Sequence, residues 1–401
     1  MKKWYYLLFI GLMASCSKVS TEENLPEITN LQPQTMLTLL PVVHIEADPI
    51  ELEYMMLKFS VPIKVSAMVT IYSPSKSVLV RSHAHIEIKG AGSASLAMKP
   101  IGVVFDQEFN NEELALITPK VIANGVDLGT IQNIRLRNSS QDYGTTMLKD
   151  LAFTELALRA GFDLELKYGR PSHVFINEEY YGLHNLRTEV DPLALSHLLH
   201  VDSSAITVVK MEIEEQELKF KNGNKAFAKS FIQAIKDEDL EMLKNYLDVN
   251  NFIDYIIYQD YTGNIDWPRN NARAYSVNGS KFRFLLFDLD LATKRTNIST
   301  LAKMEYMEDH ISQIYQILLN KDREFKNRLD RRKKYWYTQL SPQLFNTIVD
   351  ELAENIENEI PYLIAKRGVP ENSLQWKINL DQLKRELERR DKFNRHKYEL
   401  D

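Results

Sequence analysis

The stretch FIDYIIYQDYTGNIDWPRNNARAYSVNGSKFRFLLFDLDLATKR, residues 252–295, decides the fold of this chain. At its start, apolar and aromatic side chains fall on one side of a helical wheel: Phe252, Tyr255, Ile256 and Tyr258. That spacing predicts an amphipathic helix. The segment after the helix is polar and rich in Asn and Asp, and we interpret it as a loop. This loop holds Asn264, Asp266, Asn270 and Asn271.

A β-hairpin is predicted directly after the loop. Residues 272–277 and 281–287 have the composition of strands, and they flank Asn278-Gly279. An Asn-Gly pair between two such runs is the strongest short-range signal for a hairpin. The second strand is apolar and ends at Asp288 and Asp290. A hairpin here can bring acidic residues that are far apart in sequence to one site.

The order of acidic and amide side chains in this stretch is the one that protein kinases use for phosphoryl transfer. In that arrangement one Asp orients the attacking hydroxyl, and an Asn five residues on and an Asp after the hairpin hold magnesium. Asp266 fits the first role, Asn271 and Asp288 fit the metal-binding roles, and Asp290 is an additional carboxylate. The alternative is that these residues cap helices and close turns. An acid at the end of a buried strand favours a site, because it is costly to keep there unpaired.

Composition excludes several classes of protein. The chain of 401 residues is long enough for a large core in one or two domains. Its formal net charge is −6, spread along the sequence, which argues against nucleic acid as a partner. The single cysteine excludes a disulfide framework and a thiolate metal site. The close histidine pairs lack a third ligand nearby, so we interpret them as packed or surface residues: His83/His85 and His197/His200.

The N-terminus has the pattern of a secretory signal. Residues 1–15 carry two lysines and then a short apolar run, and small residues precede Cys16. This resembles a bacterial lipoprotein signal, so we expect Cys16 to be lipidated and the protein to be exported and anchored by its lipid at the cell envelope, at the outer membrane or cell surface. The alternative is an unlipidated signal peptide with an incidental cysteine. Residues 16–36 are polar and contain two prolines, and we interpret them as the lipidated N-terminus and a tether.

Residues 37–137 are predicted to be rich in β-strand. Three runs carry this prediction: LPVVHIEA (40–47), YMMLKFSVPIKVSAMVTIYS (54–73) and AHIEIK (84–89). The Gly-rich turn, GAGSAS at 90–95, follows the third run, and Lys99 comes shortly after it. The turn could cradle a phosphate with its backbone N–H groups, with Lys99 as a point charge. A tight β-turn without a ligand is the alternative, because the third glycine of the phosphate-binding pattern is missing.

Residues 138–299 are predicted to form the core that holds the site, and residues 300–401 a helical C-terminal part. Within the core we expect a helix over 146–160 that stops at Gly161, and a second hairpin made of 172–176 and 181–186. Arg187 follows that hairpin. A short apolar strand, 206–209, ends at Lys210, whose ammonium could reach a nucleotide phosphate or lie in solvent. Helices are expected over 225–262, with a break at 236–239.

Four ordered blocks of this sequence resemble the spore-coat CotH kinase-like proteins. The match is densest from 131 to 295, in LRNSSQDYGTTMLKDLAFTELALRAGF (136–162), VFINEEYYGLHNLRTEVD (174–191), FIDYIIYQDYTGNIDWPRNNARAY (252–275) and FLLFDLDLATK (284–294). The resemblance implies an α+β, divergent protein-kinase-like fold with a β-rich N-terminal part and a helical C-terminal part. It also implies use of ATP and Mg²⁺ (or Mn²⁺), with Asp266 as the catalytic acid and Asn271 and Asp288 as metal ligands.

The sequence also departs from the family pattern. The family's Glu in the second block falls on Thr188, and Glu189 is displaced by one residue. In the Gly-rich turn and just after it, Ala91 and Leu96 stand where the family has Arg and Trp, and Phe287 replaces the Trp before the last block's first acid. The side of the site that would grip the nucleotide is therefore altered, with Lys99, Lys210 and Arg187 as the candidate cations.

These observations leave three functions open. The first is Mg-ATP-dependent phosphorylation of Ser or Thr in an exported protein. The second is a catalytically inactive surface lipoprotein that uses the fold to bind a protein or glycan partner, which the altered residues favour. The third is metal-dependent hydrolysis of a phosphoester by the same acids. Retention of Asp266, Asn271 and Asp288 together favours the first.

Overall fold

The structure is a computed structural model that describes residues 23–110, 129–211 and 219–400. The predicted signal sequence and Cys16 lie outside the described residues. The described strands are β1 (Val42–Ala47), β2 (Val65–Tyr72), β3 (Val78–Ile88), β4 (Ile101–Phe109), β5 (Ile131–Arg137), β6 (Glu165–Leu166), β7 (Gly169–Ile176), β8 (Glu179–Thr188), β9 (Ile206–Lys210), β10 (Lys219–Asn222), β11 (Arg273–Val277) and β12 (Arg283–Leu286).

Helices dominate the second half of the chain. The described α-helices are α1 (Pro49–Leu57), α2 (Lys149–Ala160), α3 (Pro192–Leu198), α4 (Lys225–Lys236), α5 (Leu240–Tyr246), α6 (Val249–Thr262), α7 (Thr300–Met304), α8 (His310–Lys321), α9 (Phe325–Gln339), α10 (Pro342–Ile356), α11 (Ile360–Arg367) and α12 (Ser373–Tyr398). The expectation of a mixed α+β chain with a β-rich N-terminal part and a helical C-terminal part is confirmed. Among the described residues, no helix is both long and apolar enough to cross a membrane.

Seven strands close into a barrel in the order β1-β2-β3-β4-β5-β8-β7. Neighbouring strands are antiparallel, except that β1 pairs in parallel with β7 and so closes the barrel. Alternation along β3 places Ala84, Ile86 and Ile88 inside, as the period-2 pattern predicts. The barrel extends through Thr188, past the boundary at 137/138 that the sequence suggested.

A second sheet lies beside the barrel and has the order β10-β9-β11-β12-β6. Its β11–β12 hairpin turns at Asn278 and Gly279, whose φ angles are 50° and 74°. Positive φ at both central residues is what the two-residue hairpin turn requires. One core of buried apolar side chains runs from the barrel strands into the helices, so the barrel and the helices share a single hydrophobic core.

Helix α1 differs from the prediction, because residues 54–57 were expected to be a strand. The Asp48 side chain accepts hydrogen bonds from the backbone N–H groups of Ile50 and Glu51, and a proline begins the helix. An Asp N-cap followed by Pro favours a helix start, and this signal overrides the β-like composition of the run. Leu52 and Met55 are the buried residues of the helix.

Part of the predicted tether is packed on the fold. Met36 is buried in a small apolar cluster with Val42 of β1, and Ile28 and Leu31 pack against that cluster. Closer to the N-terminus, Glu23 accepts a hydrogen bond from the backbone N–H of Ser373 at the start of α12. The described portion of 16–36 therefore lies against the barrel and the last helix.

Candidate active site

A cleft of about 410 Å³ opens between the end of the barrel and the second sheet. The barrel contributes the Gly-rich turn and the C-terminal half of β5, and the second sheet contributes residues at the ends of β9, β11 and β12. The loop after α6 forms the remaining wall. Three acidic and five basic side chains line the cleft: Asp266, Asp288 and Asp290, and Arg135, Arg137, Lys167, Lys210 and Arg273.

Helix α6 positions the first acid. The helix is buried along nearly its whole length and ends at Gly263, which has a φ of 61°. A side chain at this glycine would strain the backbone and approach Arg390 Nε to 3.0 Å. The chain then turns into the cleft, where the Asp266 carboxylate accepts hydrogen bonds from Asn270 Nδ2 at 2.7 Å and from Asn271 Nδ2 at 2.8 Å. Asp266 is therefore held in place by its own loop.

Asp288 and Asp290 lie at the end of β12, and both contact Arg137. Arg137 Nη2 donates to Asp288 Oδ1 and to Asp290 Oδ2, the latter at 2.9 Å. The backbone N–H of Gln141 also donates to Asp290 Oδ2, at 3.2 Å. Burial raises the pKa of Asp290 to about 6, although Arg137 acts in the opposite direction. Together with Asp266 these residues form the acidic end of the cleft.

Glu189 organises the basic end of the cleft. Its two carboxylate oxygens accept hydrogen bonds from Arg135 Nε and from Lys167 Nζ, both at 2.7 Å. Burial alone would raise the pKa of Glu189, but Lys167 and Arg135 outweigh it and hold that pKa well below its usual range. Burial lowers the pKa of Lys167 to about 8, against the opposing effect of Glu189.

Two further cations complete the basic end. Arg273 of β11 stands directly opposite Lys210 of β9 in the antiparallel register, and both side chains line the cleft. The guanidinium of Arg273 packs over the ring of Phe287, with its carbon 4.9 Å from the ring centroid. Like charges on facing positions repel each other, and these two add to the positive charge of the cleft.

The Gly-rich turn forms part of the cleft wall, but Lys99 does not face the cleft. Gly90 has a φ of 97°, and a side chain there would come within 2.4 Å of Ser93 Oγ. Lys99 Nζ donates to the carbonyl oxygens of Ala94 at 2.9 Å and Leu96 at 3.4 Å, behind the turn. Lys99 therefore supports the turn from outside and is separate from the residues that line the cleft.

Arg187 is also placed away from the cleft. It is 1% exposed, donates to Asp150 Oδ2 at 2.6 Å and Thr154 Oγ1 at 3.0 Å, and so ties β8 to α2. Of the candidate cations that the sequence suggested, the structure brings Lys210 to the cleft, with Asp266, Asn271, Asp288 and Asp290.

Sequence reasoning missed four cleft cations: Arg135, Arg137, Lys167 and Arg273. A signal existed for the first two, because Arg135 and Arg137 alternate in IRLRN and so share one face of β5. Lys167 had no such signal, because its partner Glu189 is 22 residues away in sequence.

The acidic end fits a hard divalent cation in its chemistry. Carboxylate and amide oxygens are the donors that Mg²⁺ and Mn²⁺ take, and few protein ligands suffice for Mg²⁺. Asn271 directs its amide nitrogen to Asp266, so the amide oxygen is the atom it can offer to a cation. Within the described ranges, no group of three or more His, Cys, Asp or Glu side chains is placed to hold a metal. Any cation here would depend on two carboxylates, an amide and the ligand's own oxygens.

The comparison with protein families identifies the class. The family model described as CotH kinase protein matches residues 86–394, which is most of the chain and includes every residue of the cleft. The chain belongs to the CotH kinase family. The resemblance inferred from the four sequence blocks is confirmed, and membership is consistent with nucleotide and metal use in general. Among curated proteins, none matches the chain.

Proposed function

We propose that this protein is a metal-dependent phosphotransferase with a divergent protein-kinase-like fold, which transfers the terminal phosphoryl group of ATP to a Ser or Thr hydroxyl of an exported protein. The observation that carries the proposal is the division of one cleft into two ends. Asp288 and Asp290 share Arg137, whereas Arg135 and Lys167 share Glu189. The same cleft is lined by Asp266, Asn271, Lys210 and Arg273. Phosphoryl transfer needs both a hydroxyl-orienting acid and cations for phosphate.

Asp266 is the residue to which we assign the acceptor hydroxyl. Its carboxylate is oriented by two amides, which leaves it a hydrogen-bond acceptor facing the cleft. The hydroxyl oxygen forms a bond to the terminal phosphorus as the bond from that phosphorus to the bridging oxygen breaks. The electron pair leaves with ADP, and the hydroxyl proton passes to Asp266 and then to solvent. Positioning and charge stabilisation supply most of the catalysis.

The cations at the basic end hold the phosphates of the donor. Lys167 and Arg135 are fixed by Glu189, so they are pre-organised and lose little side-chain freedom on binding. Asn271, Asp288 and Asp290 are the residues that would hold Mg²⁺ or Mn²⁺. When bound, such a cation neutralises developing negative charge on the phosphoryl oxygens.

The location of the protein is part of the proposal. Cys16 would carry the lipid and anchor the protein at the cell envelope, with its substrate another exported protein. The pattern of residues 1–16 supports this, and those residues lie outside the described part of the chain.

One observation favours the second candidate function, a catalytically inactive surface lipoprotein that binds a protein or glycan. Arg137 already pairs with both Asp288 and Asp290, so these acids have a structural partner without any metal. If the pairs are permanent, the acids serve the fold, and the cleft is a recognition surface.

Transfer from radiolabelled ATP to a library of Ser- and Thr-containing peptides tests the proposal. We expect metal-dependent labelling by the wild type and a loss of about 10²–10⁴-fold in Asp266→Asn, which keeps the side-chain size but removes the acceptor charge. Lys377→Gln, at an exposed ion pair with Glu357, is the control and should label normally. No labelling by the wild type with either Mg²⁺ or Mn²⁺, or equal labelling by Asp266→Asn, would contradict the proposal.

A further inference from the structure

The guanidinium of Arg137 lies between the two carboxylates that follow β12. Its Nη2 atom donates to Asp288 Oδ1 and to Asp290 Oδ2. Its Nε atom lies 3.5 Å from Asp150 Oδ2, and Asp150 is paired more closely with Arg187, at 2.6 Å. The side chain of Arg137 is 12% exposed and that of Asp290 is 5% exposed, so solvent ions screen their pairing little. Arg137 is therefore a fixed positive charge at the acidic end of the cleft.

The position of this guanidinium is also the position at which the two acids could share a metal ion. One nitrogen atom contacts an oxygen of Asp288 and an oxygen of Asp290, so the two oxygens converge on one point. A divalent cation bound by both acids would compete with Arg137 for the same oxygens and would be repelled by its charge. Arg137 also offsets one of the two negative charges of the pair. The affinity of a carboxylate site for a hard cation depends on the charge of its ligands, so Arg137 lowers that affinity.

The two acids have other contacts that keep them in place without Arg137. The backbone carbonyl oxygen of Asp288 accepts a hydrogen bond from Asn264 Nδ2 at 3.3 Å. The carboxylate of Asp290 accepts one from the backbone N–H of Gln141 at 3.2 Å. Removing the guanidinium therefore leaves two carboxylates that still face the same point.

From these contacts we propose that Arg137 makes metal binding depend on the nucleotide. It competes with Mg²⁺ or Mn²⁺ for Asp288 and Asp290, so the metal binds weakly by itself and binds well when the phosphates of the nucleotide add negative charge and further oxygen ligands. The inference rests on the proposed phosphoryl transfer. Because such coupling is reciprocal, the same contacts make nucleotide binding depend on the metal. Arg137 acts through the metal ligands and is a positioning residue.

Titration of the full-length protein in detergent with Mn²⁺, followed through the electron paramagnetic resonance signal of free Mn²⁺, tests this competition without nucleotide. The wild type should bind Mn²⁺ with a dissociation constant on the order of 1 mM, and Arg137→Gln should bind it about tenfold or more tighter. The loss of a merely structural residue would not raise metal affinity. Asp288→Asn in the Arg137→Gln background should abolish the gain. Arg137→Lys, which keeps the charge, should bind as weakly as the wild type.

Arg159→Gln is the matched control, because Arg159 also joins two carboxylates but lies outside the cleft. Its guanidinium contacts Glu155 at 3.1 Å and Glu351 at 2.7 Å. This variant should bind Mn²⁺ as the wild type does. A gain equal to that of Arg137→Gln would mean that any carboxylate pair released from an arginine binds Mn²⁺, and it would overturn the inference.

Further outcomes separate the inference from the proposed function. Unchanged or weaker Mn²⁺ binding in an Arg137→Gln protein whose circular dichroism matches the wild type would overturn the inference. A wild-type dissociation constant below about 10 μM without nucleotide would also overturn it, and this measurement does not require the variant to fold. Peptide labelling by the wild type with no gain in Arg137→Gln would overturn the inference and leave the proposed function standing. A gain in Arg137→Gln with no labelling by the wild type would overturn the proposed function and leave the competition at Asp288 and Asp290 standing.

Discussion

The carboxylate of Glu189 binds two of the cations that line the cleft, Arg135 and Lys167. The family's Glu falls on Thr188, and from the sequence this change alters the side of the site that would bind the nucleotide. In the structure the Thr188 hydroxyl accepts a hydrogen bond from the backbone N–H of Tyr168, and the carboxylate of Glu189 holds Lys167 and Arg135. The spacing of residues in the sequence could not reveal these ion pairs, because it indicates neither which strands pair nor which cations Glu189 contacts. Asp266 and Asn271 were predictable because their relation is local.

The charge of Lys167 gives a pH dependence with a definite sign. Burial lowers its pKa to about 8, Glu189 opposes this, and Arg135 and Arg273 add to it; Lys210 lines the same cleft. Lys167 is therefore cationic below about pH 8 and loses its charge above it, so ATP affinity should fall as pH rises from about 7 to 9. Lys167→Gln has no charge to lose at this position. Its ATP affinity, measured by calorimetry, should therefore not show this fall between about pH 7 and 9. An identical pH profile in the variant and the wild type would remove Lys167 from phosphate binding.

At the scale of elements, Arg187 joins β8 to α2 through a buried ion pair. Burial would raise the pKa of Asp150, but Arg187 and Arg137 lower it to about 2. Removing Arg187 leaves a buried carboxylate without its strongest partner. Arg187→Met should therefore lower the free energy of unfolding by about 3–5 kcal/mol, measured by urea denaturation. The comparison is Lys366→Met, whose partner Glu179 is exposed, with an expected change below about 1 kcal/mol. If Arg187→Met unfolds as the wild type does, Arg187 has no structural role of this size.

Local signals decided which elements the sequence could predict. The β11–β12 hairpin was predictable because Asn278-Gly279 sets the turn by itself, and Gly161 likewise marks the end of α2. Helix α1 was not predictable, because its apolar residues have the composition of a strand and its start depends on the Asp48 cap. The strand 206–209 was predicted, but the sequence did not indicate that β11 would pair with it and bring Arg273 opposite Lys210.

At the scale of the whole molecule, barrel closure depends on contacts distant in sequence. Val42 of β1 pairs with His173 of β7, and this register has no local signal. The sequence therefore predicted a β-rich N-terminal part without its closed form. The position of the cleft, at the junction of barrel, second sheet and α6, follows from the same long-range pairing.

The shared core predicts that the barrel and the helices unfold together. Buried side chains from both parts form one continuous cluster, so neither part keeps its interior without the other. Tryptophan fluorescence reports unfolding of the helical part through Trp267, Trp336 and Trp376. Hydrogen exchange of barrel amides reports unfolding of the barrel. The two probes should give the same urea midpoint. Separate midpoints would mean that the barrel is an independent unit.

Metal-dependent ATP binding is the most direct test of the account, which holds that one cleft joins a metal-binding acidic end to a phosphate-binding basic end. Calorimetry with ATP and Mg²⁺ or Mn²⁺ should detect binding to the wild type, a large loss in Asp288→Asn, and retention in Asp266→Asn, because Asp266 is assigned to the acceptor hydroxyl and not to the donor. Absence of ATP binding with either metal, or undiminished binding in Asp288→Asn, would contradict the account and leave the cleft as a surface for recognising a partner.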